Sequence, residues 1–269
     1  MYFLKIFLAL FFMTTAISGN AQEPSSASIL DFEYGKDICV TKKSGHLRSE
    51  RTFSIKKLPG NNQPIYQINQ HGKGDYGKFK QVTWDAVAEV VERGGFLYPN
   101  FSTQTIKNED GTVAIKYEKI YDYRKKRIFY SATNKDGKVI KKKIFPIKGK
   151  TVDDLTMGPF LKAVIANRDK KEHLRYYLVS SEPKLYKINV KDLGIETLDH
   201  SSGAIEAIKV RLIPDFGILT KVTSALVPPT YFWCTTNSPH EVLRYEGLET
   251  GLGSVCVIID TEKVERDQR

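Results

Sequence analysis

Apolar and polar positions alternate at a spacing of two along most of the chain, and short turn clusters interrupt the alternation. Residues 29–35 alternate from Leu30 and close on Gly35, the pattern of a half-buried strand, with residues 37–41 as its continuation or partner. Residues 51–57 and 65–69 read as strands on either side of the turn cluster Pro59-Gly60-Asn61-Asn62. The Asp110-Gly111 and Asp136-Gly137 turns separate residues 112–121, 127–131 and 138–145 into an antiparallel meander. Strand-like sequence resumes at residues 174–180, 184–190, 194–198 and 204–213. It ends with residues 230–235, 242–248 and 253–260.

Two stretches carry helical spacing instead. Residues 84–93 place Trp84, Val87, Ala88 and Val91 on one face, behind Thr83 as N-cap and ahead of Gly94-Gly95 as a stop. Asp85 suits the positive end of such a helix, and Glu89 and Arg93 pair at i,i+4. Residues 145–167 offer Thr151 as N-cap and Asp153 and Asp154 in the first turn. A break follows at Gly158-Pro159, then a second helix with Pro159 as its first residue. Phe160, Leu161, Val164 and Ile165 form its apolar stripe, and Asn167 stops it.

Roughly fifteen strand candidates against two helices, with no strand–helix alternation, predict a mainly β fold. A sheet of that size must curl to protect its edges. The expected architecture is a large antiparallel curled sheet, a β-roll or half-open barrel, with one or two short helices packed on it.

The first residues add a location. Lys5, the apolar run 6–13 and Gly19-Asn20-Ala21 make residues 1–21 a secretory signal, which leaves residues 22–269 as a single domain. The run is too short to cross a bilayer core of about 30 Å; an uncleaved N-terminal anchor is the alternative. No Cys follows the cleavage point, and no later segment is apolar and long enough to span a membrane. The expected location is therefore the periplasm or the exterior of a Gram-negative envelope. The formal charge of +10 falls to +9 when Lys5 is removed with the leader. Such a chain should favour an anionic glycan, a lipid or an envelope protein, and export argues against nucleic acid.

The chemistry is sparse. Cys39, Cys234 and Cys256 permit one disulfide, with Cys234 and Cys256 the expected pair; three buried thiols are the alternative. There is no metal-ligand spacing, P-loop, nucleophile elbow or dinucleotide fingerprint, so no metal, cofactor or catalytic residue is expected. Asp199-His200-Ser201-Ser202-Gly203 reads as a hairpin turn, because neighbours on a strand point to opposite faces. Asp153 and Asp154 read as helix-start residues. If residues 127–131 and 138–145 pair, Arg124, Arg127 and the Lys141–Lys143 run converge with Tyr121, Tyr123 and Tyr130. That would make a basic, aromatic patch suited to an anionic ligand. Lysines that guard a sheet edge are the plainer account.

The order of features from residue 95 to 260 resembles an uncharacterised family of exported Gram-negative proteins, domain of unknown function 3108. The matching features are Gly95-Phe96-Leu97-Tyr98-Pro99, Tyr121-Asp122-Tyr123, residues 125–130, Phe145-Pro146 and Val152-Asp153-Asp154-Leu155. Beyond the helix they are residues 174–177, 203–210, Tyr231-Phe232-Trp233 and Pro239 through Arg244. The resemblance implies an exported β-roll with a helix packed on it and carries no activity. Two functions remain in view. One is a non-enzymatic envelope protein that binds a lipid, glycan or partner protein on its curled sheet, with Phe160 and Leu161 of the helix covering the concave side. The other is a periplasmic hydrolase of an envelope polymer, drawing on Asp153, Asp154, Asp199 and His200.

Overall fold

The computed structural model describes residues 33–266 apart from 60–62, 169–174, 182, 216, 218–226 and 252. The leader at residues 1–21 and the start of the first expected strand lie outside the described residues. The first half of the chain is a run of eight strands: β1 (Glu33–Thr41), β2 (Leu47–Leu58), β3 (Ile65–Tyr76), β4 (Phe79–Arg93), β5 (Phe96–Lys107), β6 (Val113–Asp122), β7 (Arg127–Asn134) and β8 (Val139–Pro146). After β9 (Thr151–Asp153), a 3-10 turn at Asp154–Thr156 leads into the helix α1 (Met157–Ala166). Six strands follow: β10 (Arg175–Val179), β11 (Leu185–His200), β12 (Gly203–Pro214), β13 (Thr230–Thr235), β14 (Val242–Leu248) and β15 (Cys256–Arg266).

All fifteen belong to one sheet, mainly β and unclosed, in the order β8 to β1 and then β15 to β9. The first and last strands pair antiparallel in its middle, so the two halves of the chain grow outward from there. Only the β9–β10 pair is parallel. This order forces the curl. Flat, fifteen strands would separate the two edges by roughly 65–70 Å. Yet the edge strands β8 and β9 are joined only by residues 147–150, whose five Cα steps reach about 18 Å at most.

The roll overlaps itself instead of closing edge to edge. Tyr130 of β7 donates its hydroxyl to the Ser181 carbonyl at 3.2 Å, and Lys143 of β8 donates to the Pro183 carbonyl at 3.1 Å. Val179 and Leu185 pack in the same cluster as Ile128, Tyr130 and Phe145. The β10–β11 hairpin is thus tucked under the inner face of β7 and β8.

One expected helix is a strand. Residues 83–93 belong to β4, paired with β3 on one side and β5 on the other. Val82, Trp84, Ala86, Ala88 and Val90 are buried in alternation along it. The segment satisfies both periodicities, and two flanking strands that supply every backbone partner decide for the period of two. Gly94-Gly95, read as a helix stop, is the two-residue turn between Arg93 and Phe96, with φ of +57° and +76°.

The second helix is present. Thr151 is in β9, and Asp153 caps the 3-10 turn by accepting from the Leu155 amide at 2.9 Å. Pro159 is the third residue of α1, and the Asn167 side chain donates to the Ala163 carbonyl at its end. All residues from Pro159 to Ile165 are buried. Phe160, Leu161, Val164 and Ile165 pack against Tyr176, Ile188, Ile208, Val210 and Phe232 of the sheet. Phe160 meets Tyr176 edge to face at 4.4 Å. At about 1.5–3 kcal/mol per buried side chain, this stripe outweighs any propensity term in holding α1 inside the roll.

Cys39, Cys234 and Cys256 are free thiols. Cys234 is on β13 opposite Val242 and Cys256 on β15 opposite Leu248, so two strand spacings (about 9.6 Å) and six residues along β14 (about 20 Å) separate them, beyond the reach of a disulfide.

Candidate functional site

The inner face of the roll lines a half-open cavity of about 330 Å³. Its wall is mainly apolar: Phe53, Ile68, Trp84, Leu178, Ile188 and Phe232 are among its lining residues. Each comes from the inward phase of a strand, as the alternation requires. The N-terminal half of α1 forms one side through Met157, Gly158, Pro159 and Lys162. Phe160 and Leu161 point the other way, into the core, and hold α1 in that orientation.

Charged side chains sit in this wall in pairs. Lys162 donates to Glu33, and both are buried. Glu249 accepts from Arg48 at 2.9 and 3.1 Å and from the Gly77 amide. Arg51 donates to Asp37 through Nε and Nη2, while Thr261 donates to the other oxygen of Asp37. The two members of the Arg51–Asp37 pair differ in exposure: the Arg51 side chain is 32% accessible and that of Asp37 is 4%. Arg51 Nη1 has only a long contact, 3.4 Å, with Gln70. Both residues line the cavity, and the Arg51 side chain is the more accessible of the two.

A second polar group stands where β9 crosses the inner face of β5 and β6. Asp153, fully buried, accepts at Oδ2 from Ser102 at 2.7 Å and Tyr121 at 2.5 Å, with Lys119 3.2 Å away. Lys119 also donates to Asp154. Two carboxylates thus share one ammonium. Burial opposes ionisation of Asp153, but Lys119 and the hydrogen bonds from Asp154, Tyr121 and Ser102 prevail and hold its carboxyl below the usual range. Burial pushes the Asp154 carboxyl up to about 7; Lys119 pulls it down and the Asp153 charge adds to the rise. Asp154 lines the cavity. Tyr76, also in the wall, is pushed up to about 12 by burial and then by Asp154.

The expected basic and aromatic patch is divided between the two faces of the sheet. Tyr121 and Tyr130 are buried on the inner face, bound to Asp153 and Ser181. Tyr123 donates to the Pro99 carbonyl at 2.9 Å. Arg124 and Arg127 are exposed outside. Asp199 and His200 do not join Asp153 and Asp154. They end β11 at a Ser201-Ser202 turn, His200 bonds to Ser202 of that turn, and neither lines the cavity. Among the described residues no group of three His, Cys, Asp or Glu is placed to hold a metal, and no helix is long and apolar enough to cross a membrane.

Lys119, Arg51 and Lys162 went unrecognised as site residues in the sequence, although each leaves a signal. Lys119 falls on the same phase as Ile115, Tyr117 and Tyr121, Arg51 lies between Ser49 and Phe53, and Lys162 interrupts the α1 stripe. A charge on an apolar phase is the mark they share.

This architecture is that of a β-barrel-like roll, and a solved structure shares it. That structure is of a β-barrel-like protein of domain of unknown function 1849 from Brucella abortus, at 8% identity and a TM-score of 0.50 over 89% of this chain and 99% of that one. Weaker matches are a candidate exported protein with a YmcC-like fold from Bacteroides fragilis and a candidate lipoprotein from Parabacteroides distasonis. The first is 10% identical with a TM-score of 0.35 over 88% of this chain and 97% of its own. The second is 8% identical with a TM-score of 0.33 over 88% and 96%. At such identities the likeness to the Brucella protein concerns the fold alone. No protein-family model matches the chain, and no curated protein sequence does.

Proposed function

We propose that this chain is a non-enzymatic protein of the cell envelope that binds a lipid-like amphiphile inside its curled sheet. The observation that carries this reading is the mainly apolar cavity of about 330 Å³ with the partly accessible side chain of Arg51 in its wall. Small-molecule sites combine these features, an apolar enclosure of roughly 300–1,000 Å³ and a few placed polar groups. The acyl or ring portion lies against Phe53, Trp84, Leu178 and Phe232, and a carboxylate or phosphate head meets Arg51. Placement in the envelope rests on the leader-like residues 1–21, and kinship with domain of unknown function 3108 on the order of its motifs.

Mass spectrometry of organic extracts from natively purified protein tests this directly, together with displacement of a fluorescent fatty acid. A co-purifying amphiphile, or saturable uptake, is expected. Arg51→Gln should weaken a fatty acid by roughly tenfold or more and leave the matching alcohol unchanged. Clean protein that takes up neither would overturn the reading.

A second reading, hydrolysis of an envelope polymer, has one observation in its favour: neighbouring carboxyls displaced in opposite directions, as acid–base pairs are. The saturated contacts of Asp153 favour a structural role for it. Turnover of a peptidoglycan or glycan substrate that disappears in Asp154→Asn would establish the hydrolase.

A further inference from the structure

The outer surface of β6–β8 has a composition that the cavity does not explain. Between residues 124 and 142 seven exposed lysines and arginines lie on this face or its turns, against Asp136 in the β7–β8 turn and Glu118 and Asp122 on β6, while Lys141 and Lys143 fall on the inward phase opposite Ala132 and Tyr130. Four of them, Arg124 to Arg127, form the β6–β7 turn and its exit. Beside them runs an apolar row in strand register: Ile120 on β6 opposite Phe129 on β7, and Phe129 opposite Ile144 on β8. Ile120 is 58% exposed and Ile144 57%. Lys142 continues the outward phase of β8 on the other side of the row, opposite Ser131.

Edge lysines account for the solubility of β8, but they do not account for isoleucines set outward among them. An acidic polysaccharide would match the charge and has nothing for the row to bury against. A membrane surface with anionic lipids matches both, because head groups attract the cations and the boundary below them accepts apolar side chains. We infer that the outer face of β6–β8 docks on an anionic lipid surface, with Ile120, Phe129 and Ile144 entering the head-group region and Arg124, Lys125, Arg127 and Lys142 on lipid phosphates. This surface is on the opposite side of the sheet from the cavity and does not depend on the cavity's having a ligand.

Co-sedimentation with vesicles made of equal parts phosphatidylcholine and phosphatidylglycerol, and with pure phosphatidylcholine, is the test. Binding is expected on the mixed vesicles only and should weaken as salt is raised. At about fivefold per cation, the triple change R124Q, K125Q and R127Q should weaken it on the order of a hundredfold. I120S with I144S should reduce the binding that survives at high salt. All five positions are exposed, so unchanged circular dichroism and melting are expected of both variants, and Arg51→Gln should bind vesicles like the parent. Absence of binding, equal binding to both vesicles, or binding unaffected by the two multiple variants would overturn the inference. So would binding to alginate that the charge variant abolishes while the isoleucine variant and the vesicles leave it unaffected.

Discussion

At the scale of single residues, Asp153 and Asp154 show how neighbours with one chemistry acquire different roles. Asp153 has its oxygens filled by Ser102, Tyr121, Lys119 and the Leu155 amide, in a place closed to water. Asp153→Asn leaves Lys119 without that charge and should cost about 3–5 kcal/mol in urea unfolding. Asp154 has the opposite linkage. Its folded-state value of about 7 is above the ordinary 3.8, so the folded protein keeps a proton that the unfolded chain releases. Its contribution is full below about pH 4 and is lost as pH rises towards 7. The melting temperature should therefore fall between pH 5 and 7.5, and Asp154→Asn should flatten that slope. The two aspartates were visible in the sequence as helix-start residues. Lys119, 34 positions before Asp153, could not be joined to them, because only the overlap of β9 on β5 and β6 brings them together.

At the scale of elements, β4 is the instructive strand. Its side chains fit either a helix or a strand, and Gly72 on β3 shows why the strand is built in. A Cβ there would be 2.0 Å from the Trp84 ring, so the indole lies across a position that only glycine leaves open. Gly72→Ala should destabilise the protein by about 1–3 kcal/mol, and Trp84→Leu in the same chain should restore part of the loss. The thiols make a second prediction at this scale. Burial pushes Cys39 up to about 11 and Cys234 up to about 12, and β14 separates Cys234 from Cys256. Alkylation after denaturation without reductant should label three cysteines per chain. The hairpin turns at Gly111, Gly137 and Gly203 were legible because each places glycine at positive φ in a short connection, a requirement that local sequence states openly.

At the scale of the whole molecule, the sheet resolves its edges through its own connectivity. The exposed edge β8 carries Lys141, Lys142 and Lys143; Lys143 also bonds to the Pro183 carbonyl, so replacing Lys141 and Lys142 alone by threonine should promote aggregation in light scattering at unchanged melting temperature. The other edge, β9, is tucked inside beneath β5. That arrangement converts a sheet into a container and places α1 within it. Sequence alone determined the class of fold, because period-two alternation and turn residues are local properties. It also determined the apolar stripe of α1, because a helix's spacing is its own. Tertiary structure decided whether residues 83–93 form a helix or a strand, since that depended on partners supplied by β3 and β5. It decided that the tyrosines of β6 and β7 face inward while Arg124 and Arg127 face out, since which phase is inside is set by the direction of curl. And it decided the site. Arg51, Trp84, Leu178 and the start of α1 come from distant parts of the chain, and only the link between β8 and β9 makes the sheet roll far enough to bring them to one cavity.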